Sequence, residues 1–221
     1  MRKSHWKEQA ATALSLAVVL SLAFYLLDWH QAASFKSGVP YLNYSMAWEN
    51  RIPCLPSWTW IYFGYFPFLF TPIFLREVRQ QIGLFRRAAL GFALQYGVAF
   101  IFFFLIPVRM ERPVPPSGGW SESAMAFLYR IDPGFNIFPS LHVSNCFFVS
   151  SLLWRLRGPK LGAPAWIMTG LITTSTLLVK QHYFVDLVVG AILGVAVYRV
   201  CFLWRNIIQL TEPPRTGSPP Q

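Results

Sequence analysis

The chain has 221 residues, of which 54% are hydrophobic and only 13% charged, with a mean hydropathy of +0.41. Soluble domains carry about 25% charged residues, so this composition excludes an ordinary water-soluble domain. The net charge of +10 does not mark a nucleic-acid surface, because the basic residues fall in gaps between apolar runs rather than along one face.

In chain order, six apolar runs reach the length that crosses a hydrocarbon core, about 17–25 residues per helix. They cover residues 9–27, 58–75, 88–107, 137–154, 163–179 and 187–204. The reading is an all-α membrane protein with six transmembrane helices in one domain, 1–210, followed by a tail, 211–221. The tail holds four prolines and is expected to be disordered. The first run follows Arg2, Lys3 and Lys7, as a signal peptide would, but its apolar core over 10–27 exceeds the ~7–15 residues of a signal sequence. It reads as an uncleaved span. Twelve Lys and Arg fall at the two ends and in the loops holding Arg76–Arg87 and Arg155–Lys160, against six in the opposite loops. Both termini are therefore expected in the cytoplasm. The outer loop 28–57 is long and aromatic, a candidate cover for an outer-face pocket. Nine Trp and nine Tyr suit membrane interfaces. Cys54, Cys146 and Cys201 form neither a disulfide framework nor a Cys-based metal spacing.

Chemistry concentrates in two short stretches, Phe138-Pro139-Ser140-Leu141-His142 and Lys180-Gln181-His182-Tyr183-Phe184-Val185-Asp186. Spans four and six both enter the bilayer from the outer face in this topology, so His142 and His182 lie at one face, with Arg109 and Arg112 in the outer loop before span four. Pro139-Ser140 reads as a helix start capped by Ser140. The first N–H groups of that helix, at a positive dipole end, suit a phosphate. His182 and Asp186 are spaced i, i+4, one helix face. A carboxylate there accepts one imidazole N–H, fixes the tautomer and leaves the other nitrogen to attack. The same groups admit other readings. His142, His182 and Asp186 could ligate zinc, although no fourth ligand is evident, and Arg109 and Arg112 could be interfacial anchors. His5 and His30 carry no motif. Gly190 and Gly194, spaced G-x-x-x-G, read as a close helix contact. The sequon Asn43-Tyr44-Ser45 is short enough to arise by chance.

These stretches resemble the second and third signatures of the type 2 phosphatidic acid phosphatase superfamily, Pro-Ser-x-His and Ser-Arg-x-x-x-x-x-His-x-x-x-Asp. Pro139, Ser140 and His142 match the second, with Leu141 where Gly is commoner. Ser175, His182 and Asp186 match the third, with Thr176 at the Arg position. Of the first signature, Lys-x-x-x-x-x-x-Arg-Pro, only Arg112-Pro113 is present, and Leu105 stands at the Lys position. Residues 51–58, Arg-Ile-Pro-Cys-Leu-Pro-Ser-Trp, resemble a segment of the branch related to inositol phosphorylceramide and sphingomyelin synthases.

The resemblance implies an integral-membrane enzyme with its active site on the non-cytoplasmic face. His182 would attack phosphorus and form a phosphohistidine, Asp186 would orient it, and His142 would protonate the departing oxygen. Arg112, Arg109, Lys180, Ser140, Leu141 and Ser175 would contact the phosphate, Arg109 and Lys180 replacing the missing cations. No metal and no cofactor is expected. The expected reaction is hydrolysis of a lipid phosphate monoester or diphosphate. The alternative is transfer of a phospho-head-group from a phospholipid to a lipid alcohol. A third reading is a non-catalytic membrane protein; no file of ionisable residues crosses the spans, which argues against an ion carrier. The expected partners are a lipid phosphate, membrane lipids and, for transfer, a lipid alcohol, with no nucleic acid.

Overall fold

A stretch rich in Ser and Asn forms the axis of the fold. Helix α7 (Leu141–Arg157) carries Ser144, Asn145, Ser150 and Ser151 within 17 residues, and it lies against four other helices. The computed structural model describes residues 6–115 and 118–203. In order, the elements are α1 (Trp6–Lys36), two 3₁₀ turns (Glu49–Arg51 and Pro56–Trp58), α2 (Thr59–Phe63), α3 (Tyr65–Phe74), α4 (Arg76–Gln80), α5 (Ile82–Leu105), α6 (Trp120–Ile131), α7, α8 (Pro159–Leu178) and α9 (Phe184–Phe202). Among the described residues there is no strand, only an isolated bridge between Leu42 and Val108.

The polar residues of α7 face neighbours rather than lipid. Ser144 Oγ donates to Gln95 Oε1 on α5 at 2.5 Å. Asn145 Nδ2 donates to Tyr65 Oη on α3 at 2.7 Å, and Ser150 Oγ pairs with Thr169 Oγ1 on α8 at 2.7 Å. Such bonds between membrane helices contribute about 0.6–1.7 kcal/mol each, so together they fix rotation and register more than they stabilise. The apolar residues of α7, Phe148, Val149, Leu152 and Leu153, fill the main core with Phe85, Ala165, Val197 and Phe202.

Small residues set the spacing of α9 on α7. A methyl group added at Gly190 would stand 2.5 Å from the Ser140 carbonyl oxygen, and one at Gly194 would collide with that of Ser144. Backbones this close require Gly at both positions. At the far end, Gly158 (φ 59°) turns the chain and Pro159 opens α8, so α7 and α8 form an antiparallel pair.

Among the described residues, four helices are long and apolar enough to cross a membrane: α1, α5, α8 and α9. The other two expected spans differ. Run 58–75 is divided at Gly64 into α2 and α3, and Pro72 removes a donor before the chain extends at Leu75. Run 137–154 begins its helix only at Leu141, after Pro139, and ten of its 17 residues are buried. Helix α1 runs on past residue 27 to Lys36, taking in the first part of the expected outer loop. There Gln31 Nε2 donates to Phe103 O at 2.8 Å and Tyr41 Oη donates to Gln31 O at 2.7 Å. Helix α6, not expected from the sequence, buries Met125 and Leu128 against Tyr62 and Val179. The tail 211–221, the cationic residues Arg2, Lys3, Arg205 and Arg215, and His5 lie outside the described residues.

Candidate active site

The start of α7 and the start of α9 meet at one end of the bundle. Ser140 caps α7, its Oγ accepting from Val143 N–H at 3.3 Å, while its own amide donates to the Asp186 carbonyl at 3.1 Å. His142 in the first turn of α7 therefore sits beside the residues that lead into α9. His182 Nε2 lies 3.4 Å from His142 Nδ1, and His182 Nδ1 lies 3.4 Å from Asp186 Oδ2.

The i, i+4 pairing arises differently from the one expected. Helix α9 begins at Phe184, so His182 precedes it instead of sharing its face. Asp186 is the third residue of the helix and accepts from Tyr183 N–H at 2.8 Å, closing a cap that holds both ends of the turn. Lys180, just upstream, has φ 52°, an uncommon conformation for a residue with a side chain. Its Nζ donates to Glu49 O at 3.2 Å and Ile52 O at 2.8 Å, fastening this turn to the 49–52 segment.

The surrounding acceptors assign the imidazole protons. His182 Nδ1 faces Ile137 O at 3.0 Å and Asp186 Oδ2. Both are acceptors, so Nδ1 carries the proton and Nε2 presents a lone pair to His142. The proton of the contact between the rings then belongs to His142 Nδ1. The remaining His142 nitrogen, Nε2, pairs with Tyr62 Oη at 2.7 Å. Asp186 Oδ1 accepts from Tyr44 O–H. Burial, and next the charge of Asp186, push the Tyr44 phenol well above its ordinary pKa, so it remains a donor. Burial likewise pushes Tyr183 up to about 12.

Among the phosphate-binding candidates, Arg112 is fixed against the turn that carries His182. Its guanidinium donates to Lys180 O at 3.0 Å, to Gln181 Oε1 at 2.7 Å and to Asp132 Oδ1 at 3.2 Å, with a further bond to Asp132 O. Four of its five N–H groups are thus engaged, leaving one. Arg109 points elsewhere, its guanidinium 4.0 Å above the Phe35 ring. Ser175 is buried in α8 with its hydroxyl donating to Ile172 O at 2.6 Å, and Thr176 Oγ1 donates to Thr173 O at 2.7 Å. Leu141 is buried against Ala99 and Phe103. Leu105, at the end of α5, is exposed. Lys180 and His182 share the wall of a cavity of about 410 Å³ with Asn43, Glu49, Glu111 and Tyr183. Burial lowers the Lys180 ammonium from its usual range, with Cys54 and Glu49 opposing that shift. Among the described residues no three His, Cys, Asp or Glu side chains converge as metal ligands.

Sequence reasoning missed Tyr44, Tyr62, Tyr65 and Gln181. Tyr62 and Tyr65 flank His142, with ring centroids 4.7 and 4.4 Å from its ring. Their only sequence signal is the aromatic run before and within α3, which reads as interface-seeking residues.

Helical packing and apolar helices of spanning length define the class, an α-helical, membrane-type protein, with a histidine pair backed by a carboxylate at one end of its bundle. The family model of the PAP2 superfamily matches residues 25–200, and the chain belongs to that superfamily. Its members are generally phosphatases or related phosphotransferases, so this is a membrane protein of the phosphatase or phosphotransferase type. No match was found among the curated proteins or among the solved structures.

Proposed function

We propose that the protein is an integral-membrane lipid-phosphate phosphatase that works through a phosphohistidine on the non-cytoplasmic face. The observation that carries this reading is the direct contact of His142 Nδ1 with His182 Nε2, 3.4 Å apart, with Asp186 behind the second ring. Entry of the substrate separates the rings and puts the phosphoryl group between them. In the first step the His182 Nε2–phosphorus bond forms, the phosphorus–lipid oxygen bond breaks, and imidazolium His142 passes its Nδ1 proton to the departing oxygen. In the second, a water oxygen attacks phosphorus, the nitrogen–phosphorus bond breaks, and His142 Nδ1 takes the water proton. Asp186 stabilises the positive charge that develops on His182 during attack.

Electrostatic stabilisation comes from the remaining Arg112 N–H, Lys180 and the first amides of α7 at Leu141 and His142. In this reading α2–α3 and α7 complete the four long helices as six crossings with both termini inside, so α7 and α9 start from the outer face, and the Lys and Arg count supports it. Lipid tails then remain in the bilayer while the phosphate enters the bundle end.

A second reading, transfer of a phospho-head-group to a lipid alcohol, is favoured by the cavity beside His182. At about 410 Å³ it is the size of a ligand site and holds more than a bare phosphate. A panel of phosphatidate, polyprenyl phosphates and diphosphates, and intact phospholipids, assayed with and without ceramide or diacylglycerol, tests both. Phosphate release without an alcohol, abolished in His182→Ala, is the expected result. Products formed only with the alcohol would replace hydrolysis by transfer. Conversion unchanged in His182→Ala would sink both.

A further inference from the structure

The acid–base cycle needs His142 to exchange protons through one nitrogen while the other stays fixed, and the structure shows what holds that second nitrogen. Tyr62 on α2 places its hydroxyl 2.7 Å from His142 Nε2. Its ring is 2% exposed, packed by Met125 and Leu128 of α6, so the hydroxyl is aimed rather than free to rotate away. Tyr65 flanks the imidazole, its own hydroxyl tied by Asn145 Nδ2 at 2.7 Å. We propose that Tyr62 is a positioning residue that occupies His142 Nε2 and so makes Nδ1, the nitrogen facing His182, the one that gives and takes the proton.

A phenol suits this role because it both donates and accepts. When His142 is neutral and pairs with His182, its proton sits on Nδ1 and Nε2 accepts from the Tyr62 O–H. When His142 is the imidazolium, Nε2–H donates to Tyr62 Oη and Nδ1–H is presented to the departing lipid oxygen. After that transfer Nε2 keeps its proton against Tyr62, and Nδ1 is the bare nitrogen that receives the proton of water. Without the hydroxyl, Nε2 is a buried polar atom with no partner in each of these states, and the imidazole loses the contact that holds it in line with His182.

The proposal rests on the phosphatase reading above, and its test separates the two. Purified wild type, Tyr62→Phe, His142→Ala and His182→Ala are compared in kinetics and by ¹⁵N NMR of labelled histidine. The chain has only four histidines, and loss of a signal in His142→Ala assigns that residue. In Tyr62→Phe, kcat falls about ten- to hundredfold while KM stays within about twofold, a part of the ~10²–10⁴ that general acid–base catalysis supplies. The His142 Nε2 resonance moves to the position of a ring nitrogen that has lost its hydrogen-bond partner. An unchanged kcat, or an unchanged Nε2 resonance in the folded variant, overturns the proposal while leaving the phosphatase reading intact. Full activity in His182→Ala overturns that reading instead, and the NMR result then still decides what Tyr62 does to His142. Should Tyr62→Phe fail to fold, 3,5-difluorotyrosine at position 62 keeps the ring and weakens the hydroxyl as an acceptor. A smaller fall in kcat is expected from it, and no fall overturns the proposal.

Discussion

Asp186 is held from several sides at once. Its carboxylate accepts from Tyr183 N–H at 2.8 Å and from Tyr44 O–H, and it faces His182 Nδ1 at 3.4 Å. A fully buried carboxylate is costly unless its lone pairs are matched by donors, and these three supply the match. Tyr44→Phe removes one donor and lets the carboxylate swing from His182. A hydrogen bond to a charged group contributes about 1.5–3 kcal/mol, so kcat is expected to fall about ten- to hundredfold. The checking measurement is steady-state turnover of the lipid phosphate, with thermal unfolding showing that the variant folds. The meeting of His142, His182 and Asp186 was legible from two short motifs, although the shared helix face expected for His182 and Asp186 is not how they meet. Tyr44 and Tyr62 were not, since they reach the site from 142 and 80 residues away along the chain, and no local pattern marks a tyrosine that folding brings back. Arg109 shows the converse. Its position in the outer loop made it a phosphate candidate, yet a neighbouring aromatic, Phe35, captures its guanidinium.

At the scale of elements, the site depends on how closely α9 approaches α7. Gly194 has the Ser144 carbonyl where a side chain would be, whereas Gly170 on α8 has nothing within 4 Å of the same position. Gly194→Ala is expected to lose about 1–3 kcal/mol through overpacking, while Gly170→Ala is neutral or gains up to about 1 kcal/mol from helix propensity. Denaturant or thermal unfolding in detergent micelles reads both, and equal effects would refute the close-contact account. The G-x-x-x-G spacing made this contact legible. The division of run 58–75 at Gly64 and the polar character of α7 were harder to read, because apolar length alone does not distinguish a lipid-facing helix from a central one. Ser144, Asn145 and Ser150 reveal the difference only once Gln95, Tyr65 and Thr169 are seen to receive them. Helix α6 escaped notice because its 12 residues are too short and mixed for a span.

At the scale of the molecule, the proposed orientation is tested at the two ends of the bundle. The turn joining α8 to α9 and the 49–52 segment are fastened by Lys180 at the active-site end. Arg157 pairs with Glu77 at 2.9 Å, joining the end of α7 to α4 among the basic residues expected inside. In a background lacking the native cysteines, a cysteine at position 50 is expected to react with a membrane-impermeant maleimide in intact cells or right-side-out vesicles. One at position 79 is expected to react only after permeabilisation, and the reverse pattern would put the site on the cytoplasmic face. Orientation is an expectation from the Lys and Arg count, which sums composition over loops, and the labelling experiment decides it. The loop 28–57 was expected to cover the site, but the residues that do so were not legible, because the contacts of Tyr44 with Asp186 and of Glu49 with Phe184 join positions remote in sequence.

The central claim is that His182 becomes covalently phosphorylated during turnover. Rapid quenching of the purified protein with the ³²P-labelled lipid phosphate identified by the substrate panel tests it most directly. The account predicts label on the wild-type chain that survives alkali, is lost in acid and is missing from His182→Ala. Turnover of the lipid with no such label on the wild type, or equal label on His182→Ala, would contradict it.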